Sequence, residues 1–351
     1  MLFQKKSSEG TNEFNQEMKS SSLTADAWKR LQKNKMAYAS FWIVVFYAAV
    51  ALLAPILPLY SYAEQNLNHV NLPPSFKSAG VVELATRKAY FQVVMKKEGR
   101  TEFNESEKEA IAEIESRNET DIAQKRHYFL GTDSLGRDML SRTIFGGRIS
   151  MMVGLVGTVT ALIIGVIVGA VAGYVGGKLD SLLMRFVDIL YGLPYMLIVI
   201  IMMAIVGRNV AILFIAIALV SWLTIARVVR GQVMSLKNTE FVLAARSMGA
   251  SPWYIIFNHL IPNTLGIIIA YTALELPTFI MSESFLSFLG LGISAPLASW
   301  GSLISDGVQG MNLYPWTLLV PAIVMTLFLF AMNFLGDGVR DAFDPQSKNR
   351  V

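Results

Sequence analysis

Six apolar runs, each close to twenty residues long, limit what this chain can fold into more than any other feature. They cover approximately residues 36–57, 149–175, 186–206, 210–226, 265–291 and 317–335. About twenty helical residues cross the hydrocarbon layer of a bilayer. A backbone in lipid must satisfy its amides within the segment, which makes helices the default. A soluble domain of 351 residues could bury a large core, but it would carry about 25% charged residues, and this chain has 16%. The expected fold is an all-α polytopic membrane protein with six transmembrane helices.

The charges fix an orientation. Lys29, Arg30, Lys33 and Lys35 precede the first run, and Lys178 and Arg185 separate the second from the third. Arg227, Arg230, Lys237 and Arg246 lie between the fourth and fifth, and Arg340, Lys348 and Arg350 follow the sixth. The short loops of opposite parity carry only Arg208. Under the positive-inside rule both termini are then cytoplasmic. The net charge of +4 is accounted for by topology, so no nucleic-acid partner is expected. The chain has no cysteine, which removes disulfide and thiolate chemistry. Its polar, Ser-rich start argues for a retained first span rather than a cleaved signal peptide.

The expected layout is a cytoplasmic tail (1–35), a first transmembrane helix (36–57) and an enlarged external soluble segment (58–140). A core with five further spans (141–340) and a cytoplasmic tail (341–351) follow. The stretch from Ala25 to Lys35 reads either as an interfacial helix with Trp28 and Leu31 against headgroups or as an ordinary basic flank. In the external segment, Asn104 and Glu107 form a capping-box pattern ahead of an apolar stripe at Ala110, Ile111 and Ile114. That pattern describes a solvated helix, or a docking surface for another subunit. Gly165 and Gly169 form a G-x-x-x-G, which permits close helix approach.

Residues 240–263, "EFVLAARSMGASPWYIIFNHLIPN", are too charged and too interrupted to cross a bilayer, yet too apolar for a solvated linker. Asn238 or Thr239 can cap a helix that begins at Glu240, whose charge suits the positive helix end. Gly249 permits a turn, and Ser251-Pro252 can start a second helix. Trp253, Ile256, Phe257 and Leu260 then give an apolar face, which Pro262 closes before the fifth span. Such a helix–turn–helix can insert into a groove on a soluble partner or can simply connect two spans.

The segment resembles the cytoplasmic coupling loop of ATP-binding-cassette importer permeases, E-A-A-x-x-x-G, nine residues, then I-x-L-P. Ala244, Ala245, Gly249 and Pro262 match in register, while Leu243, His259 and Ile261 depart from it. Glu240, about one turn before Leu243, can serve the same face. Three more stretches, "LGTDSLGRDMLSRTIFGGRISMMVG" (130–154), "SESFLSFLGLGISAPLASWGSLI" (282–304) and "AMNFLGDGVRDAFDP" (331–345), resemble C-type subunits of oligopeptide/dipeptide permeases, in that family's order. The resemblance implies a type I importer permease fold and a coupling loop over 231–263. It implies ATPase-coupling roles for Glu240, Ala244, Ala245, Gly249, Ser251, Pro252 and Pro262. It also implies a homologous second permease, two ATPase subunits that hold ATP and Mg, and an extracytoplasmic solute-binding protein. Residues 58–129 lie outside it.

In "GTDSLGRD" Asp133, Gly136, Arg137 and Asp138 suit a tight external turn, as structural pins or as substrate contacts. Glu275 and Glu283 fall in or near the fifth span, where a carboxylate is costly and is by default a functional hypothesis. Both are candidates for the translocation path, with hydrogen bonding to nearby serines or backbone the alternative at Glu283. Asp337, Arg340 and Asp341 read as a local charge network or as a partner contact. No phosphate-cradling G-x-x-x-x-G-K-[ST] occurs, and no zinc spacing or nucleophile–base pair can be assigned among three histidines. The chain is therefore expected to be a non-catalytic, metal-free peptide-importer permease of the cytoplasmic (inner) membrane, with no cofactor of its own. A nickel-complex or other small-solute importer, an ion-coupled secondary transporter or channel, and a membrane scaffold are the alternatives.

Overall fold

The computed structural model describes residues 23–207 and 210–343; Arg208, Pro345, Lys348 and Arg350 lie outside them. The described residues form helices and no strand, with the longest connection over residues 54–78. Five stretches are long and apolar enough to span a membrane by themselves. They are α2 (Lys35–Leu53), α5 (Met139–Val175), α8 (Val210–Leu236), the run Pro252–Phe288 and α13 (Trp316–Phe343). At ~1.5 Å per residue α5 is about 55 Å long, so it stands well clear of the hydrocarbon layer.

The third apolar run is not one straight span. It is α6 (Gly177–Gly192) and α7 (Tyr195–Val206), bent by 79° at their junction. Leu193 precedes Pro194 and takes extended φ/ψ of −83° and 135°, because a following proline ring disfavours the helical region. Pro194 cannot donate to the helix either. Length and apolarity alone concealed this break.

The helix expected to stop at Pro262 also runs on. A short α10 (Pro252–Ile255) passes through one π turn at Ile256–Leu260 into α11 (Ile261–Phe288). The π turn shifts the hydrogen-bond register, so Pro262 falls in the first turn of α11, where its missing N–H is not needed. Asn263 Nδ2 also donates to the His259 carbonyl at 2.6 Å.

The core is built on glycine contacts. A Cβ at Gly165 would meet the Trp222 carbonyl oxygen at 2.9 Å, one at Gly169 the Ala226 oxygen at 2.4 Å, and one at Gly173 the Arg230 oxygen at 2.8 Å. Both series advance by four residues, so the α5 stripe lies directly against the α8 backbone. Helix α11 packs on α5 and α13, and α2 packs on α13. Before the first span, α1 (Leu23–Lys33) buries Ala27 and Leu31, and Arg30 Nη1 reaches the Ala342 carbonyl at 3.4 Å. The stretch is an ordered helix seated on the end of α13, but Leu31 packs inward beside Gly338 rather than against headgroups, while Trp28 stays exposed.

Between the first span and α5, α3 (Ala79–Lys97) packs against α4 (Glu105–Thr120). The capping box at Asn104 and Glu107 forms in both directions. Ile111 and Ile114 are buried. Glu107 also takes two hydrogen bonds from Arg100, at 2.8 and 2.9 Å. Arg100 above all, with the Asn104 amide second, holds the Glu107 carboxyl down to about 2. The pair is pinned to the chain by buried Glu83, which accepts from Arg117 at 2.9 Å and Gln124 at 3.1 Å.

Candidate functional sites

Three places gather the residues singled out in the sequence. The first is the elbow after α8. Helix α9 (Glu240–Ser247) starts at Thr239, whose hydroxyl donates to the Leu236 carbonyl rather than capping an amide. Gly249 turns the chain at φ +81°, in the left-handed region that costs other residues ~1–2 kcal/mol. Ser251 Oγ accepts from the Tyr254 amide at 3.3 Å, and Pro252 takes the first turn of α10.

Burial divides the elbow into two faces. Val242, Ala245, Ile255, Ile256 and Leu260 join the same apolar cluster as Val233 of α8 and Ile268 of α11. Glu240, Ala244, Gly249, Ser251, Pro252 and Pro262 are exposed. The apolar face read from Trp253, Ile256, Phe257 and Leu260 is therefore not a single surface. Ile256 and Leu260 point inward, while Trp253 and Phe257 stack at 6.0 Å on the exposed side. Four residues apart at 3.6 per turn, Ile256 and Leu260 make one stripe and Trp253 and Phe257 the next. Phe241, Leu243, Tyr254 and Met248, the last 81% exposed, are further exposed apolar residues of the elbow. An exposed apolar patch marks an interaction site.

The second place is the turn over residues 133–138. Asp133 Oδ1 accepts from the amides of Leu135 and Arg137 at 2.9 Å each, and Oδ2 accepts from Arg137 Nε at 2.7 Å and from Arg142 Nη1. Gly136 has φ +69°, and a Cβ there would lie 1.8 Å from the Asn66 carbonyl oxygen. Asp138 caps α5 through the amides of Leu140 and Ser141 and the Ser141 hydroxyl. Burial pushes its carboxyl upward against those bonds. Every acidic and basic group in this turn is used on the protein's own chain.

Two groups here were not picked out from the sequence. Arg142 is buried beside Asp133, with Asp306 at 3.7 Å. Helix α12 (Trp300–Gly310), in the stretch between the fifth and sixth apolar runs, opens with a Ser299/Ser302 capping box. The S-x-x-S spacing before Leu303 was the available signal. Glu283, fully buried, accepts from Ser287 and Ser299 at 2.6 Å each and from Ser150 at 3.5 Å. It thereby joins α5, α11 and the start of α12.

The third place is a cavity of about 360 Å³ at the break of the third span. Glu275 lines it with Tyr191, Ser221, Thr224, Thr278 and Ser282. Glu275 and Glu283 lie on one helix, roughly two turns apart, and face different surroundings. Among the described residues no hydrogen-bond or ion-pair partner is recorded for Glu275. Asp337, Arg340 and Asp341 are exposed on the last turns of α13. No grouping of three or more His, Asp or Glu among the described residues could hold a metal ion.

The family model described as "Binding-protein-dependent transport system inner membrane component" matches residues 161–349, and "N-terminal TM domain of oligopeptide transport permease C" matches residues 22–74. The oligopeptide transport system permease protein of Escherichia coli is 39% identical over 350 residues, covering 99% of this chain and all of that one. The dipeptide transport system permease protein of Bacillus subtilis is 39% identical over 326 residues, covering 93% of this chain and 86% of that one. A chain of the inward-facing MetNI methionine ABC transporter shows 20% identity and a TM-score of 0.47 over 59% of this chain and 98% of its own.

Proposed function

The chain belongs to the binding-protein-dependent transport inner-membrane components, as a C-type subunit of oligopeptide/dipeptide permeases, and on that premise we propose how its three sites divide the work. It is a permease subunit of an ATP-driven peptide importer, and a homologous permease supplies the other half of the path. ATP and Mg reside on two separate ATPase subunits, and an extracytoplasmic binding protein delivers peptide. Both termini face the cytoplasm, with residues 58–140 outside. The core runs over 141–340, with the coupling loop at 231–263 between it and the ATPases.

One observation carries this reading: the elbow is fused to the spans on one face and bare and apolar on the other. An ATPase subunit that grips Ala244, Met248, Trp253 and Phe257 moves Val242, Ala245 and Leu260, and with them α8 and α11. ATP-driven motion favours one exposure of the path only if the ATPases grip the elbow better in that state. Glu240, Gly249, Ser251, Pro252 and Pro262 set the shape of the lever. Asp133, Gly136, Arg137 and Asp138 hold the outer turn, Glu283 ties the outer ends of the helices together, and Glu275 faces the path.

The test is Gly249→Pro in the reconstituted complex. No atom lies within 4 Å of a Cβ at this position, so the effect acts through the backbone. Proline forces φ near −65° and removes the amide that bonds to Arg246 at 3.0 Å. Membrane insertion is expected to persist while ATP hydrolysis no longer drives uptake. Full coupling in this variant contradicts the lever.

A further inference from the structure

We propose that the Glu275 cavity is a transient subsite for a primary ammonium group of the peptide in transit. The inference rests on the importer reading above and adds the chemistry of one point along its path.

No residue lining the cavity carries a cationic group or an amide side chain. Thr278 Oγ1 donates its one proton to the Leu274 carbonyl at 3.1 Å, Ser282 Oγ to Thr278 at 2.8 Å, and Ser221 Oγ to Ala218 at 3.4 Å. A hydroxyl with its proton committed to its own helix presents only lone pairs. These three oxygens and the carboxylate offer acceptors to the space between them, and the Tyr191 and Thr224 hydroxyls, which can donate, are the remaining polar groups of the lining. An ammonium is the complementary group, with three donors and no acceptor.

The placement excludes simpler roles. Glu283, on the same helix, is closed in by three serines, whereas Glu275 has no recorded partner among the described residues. An unpaired carboxylate facing lipid would be costly. The cavity is formed where Pro194 breaks the third span, and it reaches the surface of the chain at Tyr191, Leu193 and Thr278, all exposed. The nearby cation is already engaged. Arg227 donates to Asp188 at 2.7 Å and lies 4.0 Å over the Tyr191 ring, so it is not free to neutralise Glu275. A charge-assisted bond from a carboxylate to an ammonium is stronger than one between neutral groups, which suits selection in passing without trapping the cargo.

The experiment uses the complete importer, with both permeases, the ATPases and the binding protein, in proteoliposomes. It compares Glu275→Gln and Glu275→Asp with the wild type, using trialanine and Ala-Lys-Ala. Glu275→Gln should lower trialanine uptake about tenfold, Glu275→Asp should keep at least half, and both should retain ATPase stimulation by the loaded binding protein. An equal defect for the two peptides assigns the site to the α-ammonium; a defect confined to Ala-Lys-Ala assigns it to the side-chain ammonium. Wild-type uptake of both peptides by Glu275→Gln overturns the subsite and leaves the importer reading intact. Loss of ATPase stimulation in both variants overturns it too, since a structural role then explains Glu275. Wild-type uptake that persists without ATPase subunits removes the importer reading itself.

Discussion

Glu283 and Glu275 show how far a single residue type can be read before its neighbours are known. Both are acids in one apolar helix, and a bilayer makes either conspicuous. What separates them is non-local, because Ser150 and Ser299 come from elsewhere in the chain to close around Glu283. Replacing Glu283 by Ala strands three buried hydroxyls in a site that excludes water, and hydrogen bonds to a charged group contribute about 1.5–3 kcal/mol each. Glu283→Ala is expected to destabilise the chain by about 3 kcal/mol, with a smaller loss for Glu283→Gln, which keeps one acceptor. Heat-induced loss of the monodisperse complex in detergent measures this; equal stability of all three proteins would show the serines re-pairing without cost. Gly249, by contrast, was legible directly, since a glycine between two capped helices already implies the left-handed turn that the chain adopts.

At the scale of elements, the sequence was most informative where one local rule acts alone. The Asn104/Glu107 box, the Ser251-Pro252 helix start and the Gly165/Gly169 contact all follow from spacing. The break at Pro194 and the π turn before Pro262 did not, because a proline inside an apolar run is compatible with a kink, a stop or a register shift. Only packing chooses among these. The capping box supports a pH prediction for α4. The folded-state carboxyl of Glu107 lies near 2, below its ordinary value of 4.5. Its contribution is therefore complete above about 4.5 and is lost as pH falls toward 2. Hydrogen exchange at the first amides of α4 should rise across that window while α5 amides stay protected. Arg100→Met removes the main cause of the depression and should move the rise to higher pH; identical profiles would show that Arg100 does not set it.

For the whole molecule, lipid imposed a topology that hydropathy could reveal, whereas the functional surface is completed by other chains. The C-type permease resemblance located the elbow, but it could not say that Ala245 faces inward and Ala244 outward, since that depends on where α8 and α11 meet. The division of faces leads to a prediction about assembly. Met248 is the most exposed apolar residue of the elbow, and its burial under a partner would contribute ~1.5–3 kcal/mol, about tenfold to a hundredfold in affinity. Met248→Glu adds a charge on that surface and removes no contact from the cluster around Val242. The variant should insert, keep its partner permease and lose the ATPase subunits on copurification. Val242→Ala leaves the outer surface intact and hollows the joint beneath it, so it should retain the ATPases but transmit their work less efficiently, with fewer peptides moved per ATP. If Met248→Glu retained the ATPases at wild-type stoichiometry, the bare face would not be where force enters, and the lever would have to be sought elsewhere on the cytoplasmic side.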